Sequence, residues 1–264
     1  MDVAVVTGAG RGIGREMARL LVARGYGVLV TDVNLEAAAE TAELLGERAW
    51  PMTLDVRDPE AHRAAAAKAA GHGTIKAWFN NAGVLRTDKA WAHGDDEVRL
   101  MVEANLLGVI WGSRAAVEAM RSSGGHVVNI ASMSSFGPVP GLAVYGATKH
   151  AVLGFSGSLQ GDLQQSGIPI RVHAVCPDSV DTRMVRERQA EPDAAIIFSA
   201  PRLLEPAAVA RKAVSLLDER RIVLAVPRNR AWLLRTTAAY PRASLRLAEL
   251  FRRLGERRRR QPAP

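Results

Sequence analysis

The stretch VAVVTGAGRGIGREMARLLVAR, residues 3–24, decides the fold. Its opening apolar run, Val3–Thr7, predicts a strand buried on both faces. A glycine-rich turn follows at 8–14 and then a helical stretch, and such a junction can bind a pyrophosphate through main-chain N–H groups and the helix dipole. No lysine–serine or lysine–threonine pair follows, which argues against a nucleoside triphosphatase. An ordinary tight turn is the alternative if this motif is considered alone.

Strand-like apolar runs continue to alternate with helix-like stretches along the chain, and this alternation predicts an α/β fold. We expect a single doubly wound, seven-stranded parallel sheet with helices on both faces over residues 1–227. Residues 183–204 lack a clear period and predict a long loop or short helices over an active site. The other predicted strands are Val28–Thr31, Ala49–Leu54, Ile75–Asn80, His126–Ala131, Ile168–Val175 and Ile222–Val226, and the predicted helices span 12–24, 34–45, 59–70, 96–121, 144–165 and 205–219.

The charge of the chain is unevenly distributed. The net charge is +8, but residues 228–264 contain eleven arginines and two glutamates, so they carry +9 and the first 227 residues carry −1. The single cysteine, Cys176, excludes an intramolecular disulfide and predicts a buried, inert thiol, and the histidine spacing predicts no metal. With no apolar run of about 18 residues and no leader-like start, we expect a cytoplasmic protein.

Asp32 ends the second predicted strand and bears on the choice of dinucleotide. A carboxylate there can accept hydrogen bonds from an adenosine ribose and would repel a 2′-phosphate. The next residue, Val33, is not basic, so NAD is favoured over NADP. Arg11, in the glycine turn, leaves NADP open because its guanidinium could reach a 2′-phosphate.

Tyr145 and Lys149 form the candidate catalytic pair. Four residues apart in a predicted helix, they share one face, where the ammonium would lower the pKa of the phenol. Considered alone, the pattern is common, and two surface residues of a helix would be the favoured interpretation.

Three motifs together carry a family resemblance. The glycine turn, the segment Asn80-Asn81-Ala82-Gly83 and a serine, Ser132, thirteen residues before Tyr145 occur in this order. From residue 3 to about 226 the chain resembles the short-chain dehydrogenase/reductase family, whose domain is an NAD(P)-binding Rossmann fold. The resemblance implies an oxidoreductase that transfers a hydride between NAD(P) and a secondary alcohol or ketone.

The resemblance also implies roles for individual residues. Tyr145 would be the general acid/base, Ser132 would hydrogen-bond the substrate oxygen, and Lys149 would tune Tyr145 and bind the nicotinamide ribose. Asn105 matches the position that holds a water in the proton relay, with a locally bonded helix asparagine as the alternative.

For the cofactor, the resemblance implies a set that runs from the glycine turn to the loop after the sixth strand. The chain departs from the family at Asp178, where glycine usually follows Pro177; aspartate tolerates turns, so the loop can survive. The cofactor set is Gly8, Arg11, Gly12, Ile13, Gly14, Asp32, Asp55, Val56, Asn81, Ala82, Gly83, Tyr145, Lys149, Pro177, Val180 and Thr182.

The expected substrate is a small, uncharged alcohol or ketone with a hydrophobic body. Ser132, Met133, Tyr145 and Met184 are the candidate substrate contacts. The wider pocket candidates are mostly apolar, and several could instead be core residues. They are Val84, Leu85, Met133, Pro138, Met184 and Phe198.

Residues 228–264 are predicted to be a basic, helical C-terminal extension. Helices are expected over Arg228–Thr237 and Pro241–Arg260, the second with Leu247, Leu250, Phe251 and Leu254 at helical spacing. This apolar stripe could pack on the body or on a partner subunit, or the helix could lie peripherally on an anionic membrane. Nucleic acid is not expected, because aromatic residues do not interleave the arginines and the body has no basic surplus.

Two further expectations concern assembly and alternative functions. The resemblance implies a homo-oligomer, dimer or tetramer, formed through the helices at 96–121 and 144–165. The rival functions are a non-catalytic dinucleotide-binding sensor and a membrane-recruited scaffold.

Overall fold

The computed structural model describes residues 1–259 and contains one seven-stranded parallel sheet. Each strand lies within about two residues of its predicted position, and the α/β prediction is confirmed. The strands are β1 (Asp2–Thr7), β2 (Gly27–Asp32), β3 (Ala49–Thr53), β4 (Thr74–Asn80), β5 (Gly125–Ile130), β6 (Ile170–Pro177) and β7 (Val223–Val226).

The strand order is β3-β2-β1-β4-β5-β6-β7. The chain moves outward in one direction from β1 to β3, then crosses back so that β4 pairs with β1 and the remaining strands continue outward on the other side. In doubly wound sheets ligands bind outside the carboxyl ends of the strands at this reversal. The topology therefore puts the expected site between the ends of β1 and β4.

Helices cover both faces of the sheet. The alternation of side chains along β1 explains its continuous apolar run, because Ala4 and Val6 join one core cluster while Val3 and Val5 join the other. The helices of the body are α1 (Gly12–Ala23), α2 (Leu35–Leu45), α3 (Pro59–Ala70), α4 (Asp95–Val102), α5 (Gly108–Met120), α6 (Ala143–Gln165), α7 (Arg183–Arg186) and α8 (Pro206–Ser215).

The predicted helix over 96–121 is interrupted. A five-residue π-helical segment, Glu103–Leu107, joins α4 to α5 and contains Asn105. Among the described residues, the run Asp95–Met120 is the one helical stretch long and apolar enough to cross a membrane by length and composition, and half of its apolar window is buried in the protein. Buried helices of a sheet-and-helix sandwich meet the same criterion, so this is weak evidence for a span.

The uncertain segment after β6 contains α7 and a 3₁₀ segment, Pro192–Ser199. Beyond β7 the extension forms α9 (Arg228–Ala238) and α10 (Pro241–Arg259), and α10 packs against Pro192–Ser199. Arg260, which was expected to end this helix, lies outside the described residues.

The buried face of α10 differs from the predicted stripe. Leu250 is half-exposed, whereas the residues that pack inward are Ser244, Ala248 and Gly255, with Phe251 partly buried beside them. Small residues face the body because α10 approaches it closely: a Cβ added at Gly255 would lie 1.7 Å from the Ala195 carbonyl oxygen.

Candidate active site

A cleft of about 660 Å³ opens at the carboxyl ends of the strands. Residues at or just past the ends of six neighbouring strands line it, which is the place that the sheet topology predicts. These residues are Leu54, Asp32, Gly8, Asn81, Ile130 and Pro177.

The glycine turn forms one end of this cleft. Gly8 and Gly12 have φ angles of +62° and +58°, a conformation that side chains disfavour. Gly8 also passes so close to the end of β4 that a Cβ would lie 2.8 Å from the Ala82 Cα. Asn81 fixes this approach, since its Nδ2 donates to the carbonyl oxygens of Thr7 and Gly8 at 2.9 and 3.0 Å.

The N-terminus of α1 points from this turn without a side-chain cap. Its first N–H groups have no intrahelical partner and can bind an anionic oxygen. Gly14, the one predicted cofactor residue outside the cleft lining, lies beneath the turn, where a Cβ would be 2.2 Å from the Gly8 carbonyl oxygen. Close backbone packing around an uncapped helix end fits a dinucleotide pyrophosphate.

Two carboxylates that were predicted to face the adenosine line the cleft, Asp32 at the end of β2 and Asp55 just past β3. Asp32 accepts hydrogen bonds from the main-chain N–H groups of Gly10 and Asn34, at 3.0 and 3.1 Å, and so braces the glycine turn. Asp55 forms an ion pair with Arg57, and this hydrogen bond lowers the pKa of Asp55. The sequence did not single out Arg57, although its position two residues after Asp55 suits such a pair.

Ser132, Tyr145 and Lys149 converge at the middle of the cleft. Ser132 follows β5 and begins a 3₁₀ turn by accepting the Ser134 N–H at 3.1 Å, while Tyr145 and Lys149 lie one turn apart on α6. The Lys149 ammonium donates to the Ile130 carbonyl oxygen at 2.8 Å and lies 5.7 Å from the Tyr145 ring centroid.

The electrostatics of these groups differ from the expectation that Lys149 lowers the pKa of Tyr145. Burial raises the pKa of the Tyr145 phenol, and only a hydrogen bond with Ser132 opposes it. Burial also lowers the pKa of Lys149 to about 8. Burial thus disfavours the charged form of both groups, and with a pKa of about 8 Lys149 is still mostly protonated at neutral pH.

Asn105 lies behind the cleft lining. Its amide makes two hydrogen bonds with the main chain of Val84: Oδ1 accepts the N–H at 2.7 Å and Nδ2 donates to the carbonyl at 2.8 Å. The side chain is thus bonded across the fold rather than within its own helix. Its Oδ1 would lie 2.9 Å from a Cβ at Gly83, and the Lys149 Nζ would lie 3.7 Å from the same point.

The loop after β6 forms another wall of the cleft and reaches the glycine turn, since a Cβ added at Gly12 would lie 3.5 Å from the Thr182 Cγ2. Pro177, Val180 and Thr182 line the cleft as expected, and the Asp178 N–H keeps the loop in sheet register by donating to the Val226 carbonyl at 2.8 Å. The Asp178 carboxylate forms an ion pair with Arg230 of α9, at 2.9 Å. Arg230 was not a predicted site residue, because nothing in the sequence links it to a position 52 residues earlier.

The part of the cleft that was predicted to hold the substrate is lined mostly by apolar residues. Phe198 is the one pocket candidate outside the lining; it packs in the cluster beneath α10. Cys176 is buried next to the site, and burial raises its pKa to about 12. The candidates that do line the cleft are Val84, Leu85, Met133, Pro138 and Met184, and the apolar lining residues that were not predicted include Leu142, Ile196, Ile197, Leu234, Ala248 and Phe251.

No metal-like cluster of three or more histidine, cysteine, aspartate or glutamate residues occurs within residues 1–259. The residues that meet in the cleft instead provide a phenol, a hydroxyl and an ammonium. This set can move a proton at a substrate oxygen.

Comparisons with known proteins agree with this geometry. Residues 2–193 match the model of the short chain dehydrogenase family. The chain is 34% identical over 186 residues to the probable oxidoreductase EphD of Mycobacterium tuberculosis, a match that covers 68% of this chain and 31% of that protein. It is 33% identical over 201 residues to the 3-oxoacyl-[acyl-carrier-protein] reductase FabG of Salmonella typhimurium, covering 75% of this chain and 82% of that one.

A solved structure is similar over nearly the whole chain. It is a short chain dehydrogenase/reductase from Burkholderia phymatum in complex with NAD, with a TM-score of 0.82, 26% identity, and coverage of 89% of this chain and 92% of that one. The chain spans only about a third of EphD, so the likeness to EphD concerns this domain alone. The family match, the strand order and the converging serine, tyrosine and lysine lead to one conclusion: this chain belongs to the short-chain dehydrogenase/reductase family of oxidoreductases.

Proposed function

We propose that the protein is an NAD-dependent oxidoreductase that interconverts a secondary alcohol and a ketone with a hydrophobic body. The observation that carries this proposal is the convergence of Tyr145, Ser132 and Lys149 in a cleft that also contains the glycine turn. A proton-transfer group, a hydrogen-bond donor for an oxygen and a cation are the parts that alcohol–ketone chemistry requires.

Each of the three side chains has a task in this chemistry. Tyr145 takes the hydroxyl proton during alcohol oxidation and returns a proton to the oxygen during ketone reduction. Ser132 donates a hydrogen bond to the same oxygen, and Lys149 favours the phenolate by its charge. The bound nicotinamide supplies the hydride acceptor or donor.

NAD is proposed over NADP because of Asp32. Its carboxylate lies in the cleft at the end of β2, where it would repel a 2′-phosphate. The similar Burkholderia phymatum protein is in complex with NAD, which agrees with this choice. Gly8, Gly12 and the uncapped end of α1 would hold the pyrophosphate, and Lys149 would reach the nicotinamide ribose.

The substrate class follows from the apolar residues at the far end of the cleft. Met133, Leu142, Ile197 and Phe251 line it, and the Arg230 guanidinium beside Phe251 is already paired with Asp178. A 3-oxoacyl thioester also presents a ketone on an apolar chain, and the relative from Salmonella typhimurium is named for such a substrate. The substrate panel therefore includes one.

The test follows the absorbance of the reduced cofactor across hydrophobic alcohols, ketones and a 3-oxoacyl thioester, with NAD and with NADP. Tyr145→Phe should lower kcat by a factor of at least about 100, the usual contribution of a general acid/base, while the Kd of NADH changes little. Tyr240→Phe, at an exposed tyrosine, is the matched control. NAD binding without turnover of any compound would instead favour the sensor function.

Assembly and membrane contact are further proposals. Gly154 and Gly157 of α6 have no atoms within 4 Å of an added Cβ, which leaves room for a second copy to approach in a homo-oligomer. Trp232 and Leu250 are exposed on the basic extension, which suits peripheral contact with an anionic bilayer. Sedimentation velocity tests the first proposal, and flotation with anionic liposomes, comparing the chain with one ending at Val226, tests the second.

A further inference from the structure

Arg230 and Asp178 form a mostly buried ion pair at the edge of the cleft. Their side chains are 16% and 9% exposed, and the guanidinium Nη1 lies 2.9 Å from the carboxylate Oδ2. No residue among 1–259 satisfies that Oδ2 with a hydrogen bond of good geometry, so the guanidinium is its one close polar contact in that part of the chain. Both residues also line the cleft.

The same guanidinium contacts two other elements. It lies over the Phe251 ring of α10, 4.3 Å from the centroid, and it hydrogen-bonds the Ser199 hydroxyl at the end of the 3₁₀ segment. One side chain on α9 therefore connects the loop after β6, the Pro192–Ser199 segment and α10. A cation over an aromatic face in a desolvated place adds to this connection.

The elements that meet at Arg230 also form the apolar wall of the cleft. The lining residues from the extension are Leu234 of α9 and Ala248 and Phe251 of α10. Ile196 and Ile197 of the 3₁₀ segment line the cleft with them. A change in the position of the extension would therefore alter the apolar wall of the cleft.

From these contacts we propose that Arg230 is a positioning residue, and that its ion pair with Asp178 holds the C-terminal extension in place as the wall of the substrate cleft. An aspartate stands where the resemblance implies glycine because it supplies the anionic half of this pair. The link to substrate rests on the proposed function; the link between the extension and the β6 loop does not.

Breaking the pair should loosen the extension. Removing one member leaves the other charge buried without a partner, which is a strong penalty, whereas removing both relieves it. The loosening of the extension caused by Asp178→Asn and that caused by Arg230→Gln should therefore sum to more than the loosening measured in the double variant. This non-additivity is expected only if the two side chains act on each other.

The first readout is limited proteolysis with chymotrypsin, which cleaves after aromatic residues such as the exposed Trp232 and Tyr240 of the extension. None of the substitutions changes these cleavage sites. Each single variant should be cleaved in the extension at least ten times faster than the wild type, and the double variant no faster than the worse single one. Arg228→Gln, at an exposed arginine in the same turn of α9, is the matched control and should cleave like the wild type.

The second readout is steady-state kinetics on whichever substrate the panel finds. The single variants should raise the KM of the substrate by about tenfold while kcat changes less than threefold, and Asp178→Gly should behave like Asp178→Asn. Cleavage of the single variants at the Arg228→Gln rate, or additive effects in the double variant, would overturn the proposal. If no substrate is turned over, the proposed function fails, but the proteolysis still decides the role of the ion pair.

Discussion

Replacing Gly255 with alanine tests whether α10 packs on the body. Gly255 is buried, and a Cβ there would lie 1.7 Å from the Ala195 carbonyl oxygen and 2.7 Å from its carbon. Since a close carbon–oxygen contact is about 3.3 Å, α10 or the Pro192–Ser199 segment would have to move by about 1.5 Å. Main-chain atoms accommodate an added methyl group poorly, because they cannot rotate away from it as a side chain can.

Two effects of opposite sign act in this variant. Alanine is more favourable than glycine in a helix interior by about 1 kcal/mol, which would stabilise a solvated α10. Overpacking against the body costs about 1–3 kcal/mol and would also disturb the contacts of Ala248 and Phe251. For a packed α10 we therefore expect a net loss of up to about 2 kcal/mol in the free energy of unfolding, whereas a solvated α10 would gain about 1 kcal/mol.

Urea unfolding measures this sign through the midpoint at a constant m-value. The control is Gly161→Ala in α6, where an added Cβ meets no atom within 4 Å and a gain of about 0.5–1 kcal/mol is expected. A separate transition at low urea in Gly255→Ala would also indicate weakened packing, because it would report α10 detaching first. A midpoint raised as in the control would refute the packing of α10 on Ala195.

Two other predictions concern acid stability and cofactor choice. Burial lowers the pKa of His126 to about 4, and the neighbouring His173, whose Nε2 lies 3.0 Å from the His126 Nδ1, adds to this shift. The unfolded chain therefore binds more protons than the folded protein as the pH falls from about 6.5 to 4. The free energy of unfolding should be constant above this pH window and fall by about 1–2 kcal/mol through it, a value reduced because His126 is partly exposed. Urea midpoints measured against pH should fall less steeply for His126→Gln than for the wild type. Asp32→Ser should lower the NAD-to-NADP ratio of kcat/KM by at least about tenfold by removing the charge that repels a 2′-phosphate, and an unchanged ratio would contradict the role of Asp32.

The sheet and the cleft could be predicted because their signals are local. The run Val3–Thr7 needs burial on both faces, and the glycines that follow have backbone angles and approaches that other residues do not tolerate. Ser132, Tyr145 and Lys149 lie at fixed places relative to β5 and α6, so the order of elements brings them together.

The extension was harder to predict because its packing depends on size rather than on hydrophobicity. Leucines at helical spacing suggested a buried stripe, yet Leu250 is half-exposed and Gly255 is buried. Close approach of two backbones favours small residues, which a hydrophobic pattern does not detect. The ion pair between Asp178 and Arg230 was equally hidden, since its members lie 52 residues apart in the sequence and meet only in the folded structure.

The positive charge of the extension also has a different meaning in the structure than in the sequence. A run of arginines suggests an external anionic partner, but several of these side chains bind the protein itself. Arg252 pairs with Glu249 and Glu256, while Arg258 and Arg259 donate to carbonyl oxygens of Ser199 and Glu191. Arg258 and Arg259 therefore hold α10 against the segment that ends at Ser199. The exposed arginines of the described extension, which are able to meet a partner, are Arg228, Arg235, Arg242, Arg246, Arg253 and Arg257. A membrane contact and a structural role in the cleft wall are thus compatible, because opposite faces of one helix would perform them.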